Sequence, residues 1–76
     1  MTSDELRTWA AELRTKSAQA SQAHAQAARK LLTPQLSKSQ TSAIQVEANV
    51  HDCMARRNRQ WADALEVVAY EIDEDA

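Results

Sequence analysis

From Leu6 to Leu31, apolar or small residues recur at alternating spacings of four and three: Leu6, Ala10, Leu13, Ser17, Ala20, His24, Ala27 and Leu31. That spacing keeps one side of an α-helix in line. The stripe runs through SAQASQAHAQAARK (17–30), which is rich in alanine, lacks large apolar side chains and contains no glycine. The segment therefore reads as helix, where a flexible linker would carry glycine. Thr2-Ser3-Asp4-Glu5 has the form of a capping box, with Thr2 as N-cap and Glu5 three residues on.

Thr33-Pro34 is the one strong break. Proline disfavours helix in the residue before it and suits the first position of a new helix, with Thr33 as its N-cap. The pattern predicts helix 1 over about 3–32, a turn at 33–34, helix 2 over about 34–73 and an acidic tail at 73–76. On helix 2, Leu36, Ala43, Val46, Val50, Met54, Trp61, Leu65, Val68 and Ile72 lie near one face, widened by Ile44 and Ala64. The helices would be roughly 43 and 60 Å long at 1.5 Å per residue.

Folded back as a hairpin, position i would face about position 67 − i. Leu6 would meet Trp61, Leu13 would meet Met54 and Ala20 would meet Glu47. The end of helix 2 would then project beyond helix 1, carrying Leu65, Val67, Val68, Tyr70 and Ile72 as an exposed apolar overhang. Such a patch marks an interaction surface. The expected fold class is an all-α antiparallel hairpin of two long helices, assembling as a single domain into an oligomeric helical bundle. Trp61, Leu65, Val68, Tyr70 and Ile72 are the expected oligomer or partner interface.

Composition agrees with the fold class. Glycine is absent, proline occurs once and phenylalanine is absent in 76 residues, which argues against tight β-hairpins. A chain this short buries a modest core and gains from association. Cys53 is the only cysteine, so no disulfide forms within the chain; a lone thiol predicts a reducing, cytoplasmic setting. No leader or membrane-spanning run is expected.

Charge is divided. Residues 1–38 carry six Lys/Arg and three Asp/Glu, net +3, and residues 39–76 carry three and eight, net −5. The overall −2 disfavours nucleic acid as a partner. Acidic residues at a helix C-terminus oppose the helix dipole, which predicts fraying from about Glu71 and leaves the acids to meet a basic surface, such as the arginine cluster of another copy.

Little in the sequence carries reaction chemistry. His51 and Cys53 of His51-Asp52-Cys53 point about 200° apart on a helix, so they cannot share a metal ion, and Cys53 reads as a small buried hydrophobe. No phosphate-cradling glycine loop exists, and no nucleophile, base and orienter assemble. The chain is expected to be neither an enzyme nor a cofactor protein. Arg56-Arg57-Asn58-Arg59-Gln60-Trp61 is the exception: guanidiniums can grip an anion and Trp61 can stack. Arg56, Arg57 and Arg59, with His51, are the candidate anion or nucleotide site.

In size and composition the chain is like compact regulators and inhibitors, including small phage-encoded accessory proteins, a likeness in kind. The leading expectation is a non-enzymatic oligomeric interaction protein that acts by binding a protein partner. The alternative is an oligomer that sequesters a nucleotide-like anion between chains.

Overall fold

Thr2 caps the first helix: its side chain accepts from the Glu5 backbone N–H at 3.1 Å, and its hydroxyl faces Glu5 Oε1 at 3.2 Å. Helix α1 then runs over Ser3–Lys30 and α2 over Lys38–Asp75. The computed structural model describes all 76 residues. The helices pack antiparallel as a rod whose Cα trace extends 61 × 14 × 14 Å. No helix is long and apolar enough to cross a membrane.

The break falls later and is longer than Thr33-Pro34 predicts. α1 ends at Lys30, and the backbone N–H groups of Leu31, Leu32 and Thr33 bond to Ala28, Arg29 and Lys30 in tightening turns. Gln35 takes a left-handed φ of 63°, which interrupts any helix starting at Pro34. The start belongs to Ser37, whose side chain accepts from Gln40 N at 3.1 Å while Gln40 Oε1 accepts from Ser37 N at 2.9 Å. This reciprocal pair is a complete capping box.

The longer connection changes the register. Ser17 meets Ala55 and His24 meets Ala48, so position i faces about 72 − i rather than 67 − i. The overhang disappears, because Arg7 near the start of α1 reaches Asp73 near the end of α2. Leu65 is buried against its own α1 together with Leu6, Ala10, Leu13, Ala62 and Ala69, and Trp9 packs on this cluster. The expected fraying from Glu71 is absent, since α2 is helical to Asp75.

α2 also turns a different face inward. Its buried alanines fall every seven residues, at Ala48, Ala55, Ala62 and Ala69, joined by Leu65. Thr41, Ile44, His51 and Asn58 fill the intervening seam positions half-buried. Against them lies the α1 stripe, as its spacing predicts: Leu6, Ala10, Leu13, Ser17, Ala20 and Ala27 are buried, with His24 half-buried. A sustained seven-residue repeat on both helices is coiled-coil packing. Small side chains win this face because Ser17 and His24 need main-chain acceptors on α2, reachable only if nothing larger than alanine stands between the helices. The bulkier Val46, Val50, Met54, Trp61 and Val68 remain exposed.

Candidate functional site

The two flanks of the seam differ in chemistry. Residues directly after seam positions form a charged flank: Arg7 and Arg14 follow Leu6 and Leu13, and Glu66 and Asp73 follow Leu65 and Ile72. Arg14 donates to Glu66 at 2.7 Å and to Asp63 at 2.6 Å, and Arg7 pairs with Asp73. The hydrogen bond from Arg14 holds Glu66 below its ordinary carboxylate value, and the two acids raise Arg14 in return. Asp73 is lowered by the Ser3 hydroxyl and by Arg7. Asp63, Glu66 and Asp73, three of the acids in the last part of the sequence, thus find basic partners on α1 of the same chain.

The opposite flank is apolar. Trp9 precedes Ala10, while Met54, Trp61 and Val68 precede Ala55, Ala62 and Ala69. Trp9 and Trp61 bridge the helices with ring centroids 5.4 Å apart and planes inclined at 59°. Trp61 nevertheless stays 52% exposed, Met54 50% and Val68 44%. Nearer the turn this flank closes with Lys30 on Glu47 at 3.3 Å.

Around α2 from that flank lies a second line of four-and-three spacing: Val50, Met54, Arg57, Trp61, Ala64 and Val68. It is the seam pattern again, rotated away from α1 and open to solvent. An open groove of about 610 Å³ lies along it, lined by Met54, Arg57, Asn58, Gln60 and Trp61.

The residues expected at the interface separate accordingly. Trp61 and Val68 share the exposed apolar flank. Leu65 does not belong with them, because it is spent on the intrachain core. Tyr70 is exposed and donates to Glu74 at 2.8 Å, a bond that with partial burial pushes its phenol up. Ile72 sits at the end of the inner seam, 38% exposed. Trp9 and Met54 complete the surface that the overhang picture left out; the signal was their place just before a small seam residue.

The candidate anion residues do not converge within the chain. Arg56 pairs with Asp52 at 3.1 Å, and His51 is half-buried in the seam with Nε2 3.9 Å from Glu47. Of the four, Arg57 alone lines the groove beside Trp61. Cys53 is exposed rather than buried, because it lies on the far side of α2 from the alanine seam. No group of three or more His, Cys, Asp or Glu side chains is placed to hold a metal ion.

Comparisons with protein-family models, with curated proteins and with solved structures found no match to this chain.

Proposed function

We propose that this chain is a small non-enzymatic interaction module, which assembles through the apolar flank of α2 and acts by binding protein, in the manner of a regulator or inhibitor. The observation that carries the reading is the exposed line Val50, Met54, Trp61 and Val68 on a helix whose neighbouring seam face is already packed. Large apolar side chains repeated at helical spacing on a rigid rod form a face that another helix can cover. The ion pairs of the other flank are satisfied within the chain and leave that flank polar.

Binding of a nucleotide-like anion between chains has less support. It would rest on Arg57 and Trp61, because Arg56 is engaged by Asp52 and His51 is turned into the seam.

Native mass spectrometry of the purified protein tests the reading. An integral multimer with no added mass is the expected result. A multimer carrying a few hundred daltons of bound material would favour the anion reading, and a clean monomer at all concentrations would overturn self-assembly.

A further inference from the structure

We propose that the occupant of the apolar face is a second copy of this chain, its α2 lying antiparallel to the first about a two-fold axis at position 59. This rests on the interaction reading above and specifies the partner and the register.

Area points first to a partner of this size. A compact monomer of 8.5 kDa exposes about 4,700 Å², whereas this chain exposes 5676 Å². The excess is roughly 1,000 Å², on the scale of the ~800 Å² that each partner buries in a standard interface. It arises because the rod is long and thin, so its inner seam encloses only three leucines and otherwise small residues. A second rod laid along the flank covers that excess.

The outer line on α2 is then complementary to itself. Reversed about position 59, Val50 comes level with Val68 of the partner subunit, Met54 with Ala64 of the partner subunit, and Arg57 with Trp61 of the partner subunit. Each pairing is chemically sound: branched apolar on branched apolar, large on small, and a guanidinium on an indole face. A parallel pairing would instead stack Arg57 on Arg57 of the partner subunit and Trp61 on Trp61 of the partner subunit, placing like charges together. Sliding the antiparallel pair by one heptad sets Arg57 against Val68 or Met54 of the partner subunit and loses the cation–π contact. At the ends Glu47 falls level with Glu71 of the partner subunit, and Lys30 already neutralises Glu47. Symmetric closure of this kind uses one patch twice and leaves no open edge for further growth.

Cysteine cross-linking reads the register. In a Cys53→Ser background, Val50→Cys with Val68→Cys places two thiols level across the proposed interface, while within one helix they are far too distant to join. Mild oxidation should give about tenfold more covalent dimer from this double variant than from either single variant. Efficient linking of Val50→Cys alone would overturn the antiparallel register. So would a dimer by sedimentation whose double variant does not link, although the interaction reading would then stand. A protein that sediments as a monomer throughout would overturn both. All the altered side chains are exposed, and circular dichroism of each variant confirms that the hairpin is intact.

Discussion

The Ser17 hydroxyl donates to the main-chain carbonyl of Ala55 across the seam at 2.7 Å. One heptad toward the turn, His24 Nδ1 lies 2.8 Å from the carbonyl of Ala48. A carbonyl only accepts, so Nδ1 carries the hydrogen there. Both bonds need the helix backbones in close approach, and both land on alanines of the seven-residue repeat. The alanine-rich stretch of α1 is thus a packing device whose two polar side chains lock the register.

Shortening or crowding this seam should destabilise the hairpin. Ser17→Ala removes a buried hydrogen bond and should cost about 1 kcal/mol. Ala62, with no exposure, leaves no room for growth, so Ala62→Leu should cost about 1–3 kcal/mol through overpacking. Urea unfolding of both variants measures these losses; an Ala62→Leu protein as stable as the parent would show that the seam is loose.

The start of α2 distinguishes two caps. Ser37→Ala should cost about 1 kcal/mol, because it removes an N-cap. Thr33→Ala should be close to neutral, since the Thr33 side chain caps nothing. Gln35→Gly should stabilise by about 0.5–1 kcal/mol by relieving a left-handed φ on a residue with a Cβ. Thermal unfolding of the three variants gives the order.

Acid should weaken the charged flank. Glu66 and Asp73 have folded pKa values below their ordinary ones. Their contribution is present above the unfolded carboxylate range, about pH 4, and is lost as pH falls through the folded values. The melting temperature should therefore drop as pH goes below about 4, and the drop should be shallower in Glu66→Gln/Asp73→Asn. Both groups are exposed, so the effect is modest and fades with added salt. An identical pH profile for the double variant would contradict this role.

Leu65 and Val68 separate folding from association, although both were legible as apolar positions of one helix. Leu65→Asp puts a carboxylate into the intrachain core and should unfold the hairpin or cost about 3 kcal/mol or more. Val68→Glu, on the exposed flank, should leave helicity intact and weaken association. Circular dichroism with sedimentation of each variant checks the contrast.

The two-helix fold could be read from the sequence because α1 shows one unbroken stripe and Pro34 marks one interruption. The N-cap at Thr2 was equally plain. The face and register of α2 were harder to see, because this helix has two candidate stripes. Bulk drew the expectation to Val46, Val50, Met54 and Trp61, while the alanines at 48, 55, 62 and 69 make the closer contact that Ser17 and His24 require. The register error followed from the cap: Ser37-Lys38-Ser39-Gln40 carries the capping-box signature, but Thr33-Pro34 is the louder signal. Moving the start of α2 from Pro34 to Lys38 brought Leu65 inside and removed the overhang. The apolar patch was therefore expected at the end of α2, and it lies along its flank.

Sedimentation equilibrium of the wild-type chain beside Val50→Glu/Val68→Glu, over a wide concentration range, tests the interaction surface most directly. The wild type should fit a dimer, and the variant should fit a monomer of unchanged helicity. A wild-type monomer at the highest concentration, or a variant that associates as well as the parent, would contradict the assignment of this flank as the interface.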